Sequence, residues 1–385
     1  MIFHTIMLDQ TILFPYWLTL KLRNAMYRRG FILKSQKAEL PAICVGNIAA
    51  GGTGKTPHVE MLLRTLAGIP EWSGRNVAVL SRGYKRKSKG FQQVMEDGSA
   101  AFCGDEPLQI KRNCPSVTVA VHKDRLEGCR ILAHPELLSD PKHARTVDKS
   151  FPAADMVILD DAFQHRKISA DVNIVLVDYN HMPDRDHLLP IGRLRDLPER
   201  LDEADILVVT KSPAYMTDEE KVETAARAGV RNYDCSACEG ERRNGRRQKL
   251  FFTFIAYDTP RPVFEGADTR YIYSKKAILF TGIANDTPLR RYLSDSYKLV
   301  KSFSFPDHHA FSKGDLRKIG SAIKAWPTAA VATTQKDACR MRDCKKNVSP
   351  AMQERLFEVP IRVEFLSPEE RSEFKETLAG LLRRS

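Results

Sequence analysis

Short apolar runs recur through the first two hundred positions, each bounded by polar or glycine-rich punctuation: Ile43-Cys44-Val45, Val77 to Leu80, Val117 to Val121, Met156 to Leu159, Val172 to Val177 and Ile206 to Val209. The runs are apolar at successive positions and do not alternate, so each predicts a strand covered on both faces. Helical stretches between them, as at 57–67 and 124–133, make this the pattern of an α/β protein: a doubly wound, mostly parallel sheet with helices on both faces. After Lys211-Ser212-Pro213 the texture changes, and the basic passage from Glu239 to Lys249 reads as a linker or an exposed hairpin. Strand patterns at Ala277 to Thr281 and Ala329 to Thr333, with helical stretches at 313–325 and 367–383, predict a second, smaller α/β unit. The expected division is a terminal region at 1–40, a first domain at 41–212, a linker or hairpin region at 213–275 and a smaller C-terminal domain at 276–385.

Composition narrows the class. Of 385 residues, 43% are hydrophobic and 28% charged, an ordinary globular balance that excludes a disordered, collagen-like or polytopic membrane chain. The formal net charge of +12 suits an anionic partner such as a nucleotide, a nucleic acid or a phospholipid surface. Eight scattered cysteines are too sparse for a disulfide scaffold and fit a reducing cytoplasm. Cys235 and Cys238 form an isolated C-x-x-C, and Cys339 with Cys344 does not complete a zinc pattern.

The segment Thr11 to Leu20 is mostly apolar but too short to span a bilayer. Lys21, Arg23, Arg28 and Arg29 follow it, the wrong order for a signal peptide. Tyr16 and Trp17 beside a basic cluster suit an amphipathic helix lying in an anionic headgroup layer. A helix packed on the body of the protein fits the same residues equally well.

The strongest chemical signal follows the first strand. Ala49-Ala50-Gly51-Gly52-Thr53-Gly54-Lys55-Thr56 leads directly into a helical stretch, the setting of a phosphate loop. Its glycines let backbone N–H groups turn onto phosphate oxygens, Lys55 reaches the β and γ phosphates, and Thr56 can offer its hydroxyl to Mg²⁺. Ala49 stands where the strict pattern has glycine. The expected metal partner is a strand ending in a carboxylate, and Met156 to Leu159 runs into Asp160-Asp161. Neither Thr210-Lys211-Ser212-Pro213 nor Lys336-Asp337 completes a guanine-recognition run, which leaves ATP as the nucleotide.

Several further motifs lie in order along nearly the whole chain: Val45-Gly46-Asn47-Ile48 entering the loop, Ser81-Arg82-Gly83-Tyr84, Gly104-Asp105-Glu106-Pro107, Leu159-Asp160-Asp161-Ala162-Phe163-Gln164-His165, and Leu189 to Arg195. Thr281 to Asn285, Phe305-Pro306-Asp307-His308-His309-Ala310-Phe311 and Thr333-Thr334-Gln335-Lys336-Asp337-Ala338 complete the set. This ordered set resembles the tetraacyldisaccharide 4'-kinase family. The chain departs from that family at Ala162, where glycine is usual, and at Gln335, where glutamate is usual.

The resemblance implies transfer of the ATP γ-phosphoryl group to the 4'-hydroxyl of a lipid-linked tetraacyldisaccharide 1-phosphate, at the cytoplasmic face of the bacterial inner membrane, with 41–212 as the nucleotide-binding domain. It also implies a catalytic dyad of Asp105 and His308, the histidine as base and the carboxylate orienting it. Thr56, Asp160 and Asp161 would hold the metal, and Arg82, Gln164 and His165 would contact phosphate or acceptor. No nucleic acid is expected as a partner. The rival readings are another phosphate-loop ATPase, such as a metallochaperone-like NTPase or an ATP-dependent synthetase, and a basic nucleic-acid-binding ATPase. The first conflicts with Ala50, where the metallochaperone-type loop has a second lysine. The last lacks a nucleic-acid module.

Overall fold

The computed structural model describes residues 11–30, 33–307 and 309–384. His308 lies outside the described residues, as do 1–10. Among the described residues the chain begins with helix α1 (Phe14–Arg29). The first sheet then collects β1 (Ala42–Asn47), β2 (Val77–Ser81), β3 (Thr118–Val121), β4 (Met156–Asp160), β5 (Val172–Asp178) and β6 (Ile206–Thr210). Between these strands run α2 (Lys55–Ala67), α3 (Asp105–Asn113) and α4 (Arg125–Ala133), and α5 (Asp218–Arg227) follows β6. Three more strands, β7 (Arg231–Asp234), β8 (Glu239–Glu241) and β9 (Arg247–Tyr257), extend the same sheet, so Glu239 to Lys249 is a hairpin paired into it.

Across this sheet the order is β7-β8-β9-β6-β5-β1-β4-β2-β3, closed by a two-residue edge strand at Gln92–Gln93. From β9 to β3 every pairing is parallel. The continuous apolarity of the strands is explained by two cores. Ile43 and Val45, Met156 and Ile158, and Ile206 and Val208 feed the core on one face, while Cys44, Val157, Leu159, Leu207 and Val209 feed the other. β1 lies between β4 and β5, at the point where the strand order reverses, and ligands of open α/β sheets sit outside the carboxyl ends of strands there.

The second sheet is built from β10 (Lys276–Thr281), β11 (Lys298–Ser304), β12 (Ala330–Thr334) and β13 (Leu356–Val359), with a short edge at Arg261–Pro262. Helices α6 (Thr287–Ser296), α7 (Lys313–Ala325) and α8 (Gln335–Asp343) accompany it. β13 continues through Pro360 into β14 (Ile361–Phe365), which pairs antiparallel with the second half of β9 in the first sheet. The last helix, α9 (Pro368–Leu382), packs on the first sheet, where Phe374, Leu378 and Leu382 enter its core and the Phe374 ring meets Phe251 edge-on at 5.2 Å. Its apolar face matches that core, although in sequence it follows the second unit.

Candidate active site

Asn47, the last residue of β1, organises the phosphate loop from within. Its Nδ2 donates to the Ala49 carbonyl at 2.9 Å and to Thr53 Oγ1 at 3.0 Å, and Thr210 at the end of β6 donates to the Thr53 carbonyl at 3.0 Å. Gly51 and Gly54 hold φ of +105° and +85°, left-handed values that a side chain disfavours. Lys55 opens α2, and Thr56 is buried beneath the loop. His58, one turn on, donates from Nδ1 to the Gly54 carbonyl at 2.7 Å and accepts from Thr253 at 3.0 Å. Burial pushes its imidazole down to about 4, so it is neutral and serves as a brace. Sequence reasoning missed His58, because a histidine in an amphipathic helix carries no signal of such a bond.

Asp160 and Asp161 stand at the end of β4, beside the loop. Asp160 is buried; its Oδ2 accepts from Ser81 at 2.9 Å, while Oδ1 has no hydrogen-bond partner. Burial, then the charges of Glu106 and Asp161, raises its carboxyl to about 6. Asp161 has φ of +50° and turns outward. Burial of its surroundings works against its ionisation, but Lys55 and Arg195, each 3.5 Å from Oδ1, outweigh that and hold the carboxyl below its ordinary value. A buried, unpartnered carboxylate oxygen beside an ionised carboxylate and the Thr56 hydroxyl is a donor set that fits a hard divalent cation. Among the described residues no three His, Cys, Asp or Glu side chains form a metal cage, so the other ligands of such a cation come from phosphate and water. Cys235 and Cys238 are free thiols and belong to no such cluster among the described residues.

Two arginines absent from the sequence expectations complete this corner. Arg195 donates to Asn47 Oδ1 at 2.6 Å and to the Ala49 carbonyl at 3.1 Å. Arg125, fully buried, donates to the carbonyls of His122 at 2.6 Å and Asp160 at 3.2 Å. Of the second-rank candidates, Arg82 is exposed at the end of β2, and its positive charge is felt at both Arg125 and His165. Burial, then Arg125 and Arg82, lowers the His165 pKa, against a smaller upward pull from Asp124. Gln164 is half-buried, with its Nε2 lacking a partner.

Asp105 is buried at the start of α3, which points into the same corner. Arg340 of α8 forms an ion pair with its Oδ2, and Arg340 also donates to Asp337 at 2.7 Å and to the Gly282 carbonyl at 3.1 Å. Next to this pair Lys336 meets Glu106 at 2.6 Å, and Gln335 donates to Asn113 at 3.0 Å. The two units therefore meet at Asp105. The neighbour of His308 on one side, His309, stacks on Phe305 at 4.7 Å and bonds Asp315 at 2.9 Å, while a Cβ placed on Gly282 would touch His309 at 3.4 Å and Arg340 at 3.4 Å. His309 thus lies on the same glycine as the arginine that holds Asp105.

Comparison with known proteins gives the family and the fold. The model of the tetraacyldisaccharide-1-P 4'-kinase (LpxK) family matches residues 10–383. The tetraacyldisaccharide 4'-kinase of Parabacteroides distasonis is 34% identical over 372 residues, covering 95% of this chain and 91% of its own length. That of Flavobacterium johnsoniae is 35% identical over 364 residues, covering 92% and 93%. A crystal structure of LpxK from Aquifex aeolicus in complex with ATP superposes with a TM-score of 0.66 at 27% identity, over 96% of each chain. Fold, phosphate loop and collinear match converge, and the chain belongs to the tetraacyldisaccharide-1-P 4'-kinase family.

Proposed function

We propose that this chain transfers the γ-phosphoryl group of ATP to the 4'-hydroxyl of a tetraacyldisaccharide 1-phosphate in lipid A biosynthesis, with the residues above in distinct roles. The carrying observation is the meeting, at the carboxyl ends of the central strands, of a phosphate loop, a carboxylate pair and Asp105 gripped from the second unit.

The backbone from Ala49 to Gly54 cradles the phosphates, and Lys55 reaches the transferred group. Mg²⁺ held by Thr56, Asp160 and Asp161 neutralises phosphate charge when bound. The acceptor oxygen forms a bond to the γ-phosphorus as the bond to the β–γ bridging oxygen breaks, and ADP leaves. The hydroxyl proton passes to His308, which Asp105 orients. Arg340 keeps the Asp105 carboxylate in place through Oδ2, and the Glu106 amide donates to Oδ1 at 3.2 Å. Arg82, Gln164 and His165 face the acceptor side. With 41–212 as the nucleotide-binding domain and 276–385 supplying the base, the reaction needs both units together.

The acceptor is a lipid, and α1 supports docking at an anionic surface of the inner membrane. No helix among the described residues is long and apolar enough to cross a bilayer. The outer side of α1 instead carries Phe14 and Leu22, 47% and 54% exposed and each one turn from Leu18, with Lys21, Arg28 and Arg29 flanking them. This side suits a headgroup layer, where each Lys or Arg contributes about 1 kcal/mol. Incubation with ATP, Mg²⁺ and tetraacyldisaccharide 1-phosphate tests the reading: a bisphosphorylated lipid is expected, and ATP hydrolysis without that product favours the plain NTPase.

A further inference from the structure

Ala50 leaves the loop with one lysine, Lys55, where a metallochaperone-type loop has two. A second cation nevertheless sits on the loop, delivered from a distant turn. Residues 186–195 form a tight turn stapled to the loop entrance. Asp186 Oδ1 accepts from the amides of His187 at 2.8 Å and Arg193 at 2.9 Å, and Arg195 N donates to the Ile48 carbonyl at 2.7 Å. The Arg193 carbonyl in turn accepts from Ala50 N at 2.6 Å, which fixes Arg193 against the loop backbone. Its side chain lies across Gly51: a Cβ added there would be 2.3 Å from Arg193 Nη2 and 3.3 Å from Cζ. Gly51 is therefore required twice, for its φ of +105° and for the room the guanidinium takes.

The three cations of the loop differ in what engages them. Lys55 lies 3.5 Å from Asp161, and Arg195 is spread over Asn47, Ala49 and Asp161. The Arg193 guanidinium has no hydrogen-bond or ion-pair partner among the described residues. A rigidly mounted fork of five donors, resting on the third residue of a phosphate loop, matches an oxyanion pair that it can bind bidentately. Phosphoryl transfer depends on such charges held where the equatorial oxygens of the moving group pass.

We propose that Arg193 donates to the terminal phosphate of bound ATP and stabilises the charge on its oxygens during transfer, supplying in cis the cation that Ala50 lacks. The inference rests on the kinase reading and adds a catalytic residue to it.

The test compares the parent with Arg193→Ala and Arg193→Lys in kcat for bisphosphate formation and in affinity for ATP, for ADP and for ADP with aluminium fluoride. Arg193→Ala is expected to lower kcat on the order of 10³-fold, the low end for an arginine of this kind, with ATP affinity changed by less than about threefold. The extra tightness of ADP with aluminium fluoride over ADP alone should disappear. Added guanidinium ion should restore part of the lost turnover, and Arg193→Lys should recover little, because a point charge lacks the fork. A kcat within about threefold of the parent, or a raised KM for ATP at unchanged kcat, overturns the proposal. If the parent makes no bisphosphorylated lipid the kinase reading itself fails, whereas the aluminium fluoride comparison still judges Arg193.

Discussion

Asp160 and Asp161 are neighbours in the chain and opposites in environment: one faces inward with an unpartnered oxygen, the other outward between two cations. Splitting two adjacent carboxyls in this way prepares a site for a cation without stacking two bare charges before it arrives. The same contrast separates Asp105 from Lys55 in what their loss should do. Asp105→Asn and His308→Ala are each expected to lower kcat at least about 100-fold while ATP affinity holds within a few-fold, since general base catalysis contributes about 10² to 10⁴. Lys55→Ala should weaken ATP binding itself; calorimetric titration beside steady-state kinetics separates the cases, and near-parental turnover in both dyad variants would remove the dyad.

A second residue-scale consequence concerns Glu60, buried on α2 and bonded by Asn113 at 2.9 Å and Gln109 at 3.2 Å. Burial pushes its carboxyl up to about 7, against smaller opposing pulls from those amides, Arg64 and Arg261. A folded-state value above the unfolded one means the proton stabilises the fold. That contribution is complete below about 4.5 and is lost as pH rises through 7, for a total on the order of 3 kcal/mol. Glu60→Gln should therefore match the parent in thermal melts near pH 4.5 and exceed it at pH 8. A difference in melting temperature independent of pH would show that Glu60 does not titrate there.

At the level of single elements, α1 shows apolar residues on both sides: Leu20 in the core, Phe14 and Leu22 outward. The side facing the body holds Arg23 and Asn24 on Asp196, at 2.8 and 2.9 Å, and Tyr16 on the Arg195 carbonyl at 3.3 Å, beside Leu20 in the core, while the outer side shows Phe14 and Leu22 among Lys21, Arg28 and Arg29. Leucine and phenylalanine shown to water beside a basic cluster fit a lipid headgroup layer. Phe14→Glu with Leu22→Glu is expected to abolish sedimentation with anionic vesicles and to change folding stability by no more than about 0.5 kcal/mol, as exposed positions do. Retained vesicle binding would place the membrane contact elsewhere.

Elements also differ in how legible they were. Strands such as Met156–Asp160 and Ile206–Thr210 announced themselves because burial on both faces favours apolar residues at successive positions, up to the polar residue at the strand end that serves the site. The loop from Ala49 to Thr56 was equally plain, since a phosphate cradle constrains neighbours in sequence. The edge pairing of β7, β8 and β9 was hidden in a passage dense with arginines, because Arg242 and Arg246 spend their charge on Asp202 and Asp205 along the hairpin flank. Arg125, Arg195 and Arg340 were invisible for a related reason: their bonds to Asp160, Asn47 and Asp105 span 35, 148 and 235 positions, and an arginine carries no local mark of such a bond.

Over the whole molecule, the two units are joined by paired chain crossings and by polar contacts around the reaction site. β9 leaves the first sheet at Tyr257 as β14 enters it at Ile361, and Asp258 N bonds the Pro360 carbonyl at 2.9 Å between them. On the far side Lys336 on Glu106, Arg340 on Asp105 and Gln335 on Asn113 clasp α8 to α3. Gln335, one of the two departures from the expected family pattern, brings an uncharged amide to this clasp where a carboxylate would face the Glu60 and Asn113 cluster.

The return of the chain to the first sheet has a further consequence, for biogenesis. While a ribosome is still extending the polypeptide, β9 lacks its β14 partner and Phe251 lies bare of Phe374, so the phosphate-loop half is without these contacts until residues 361–374 emerge. Phe374→Ala should accordingly cost that half about 3 to 5 kcal/mol, and a chain stopped after Pro360 should be captured by folding helpers and fail to retain ATP. A stopped chain that binds ATP like the full one would mean that the tail is decoration and that the amino-terminal half matures unaided.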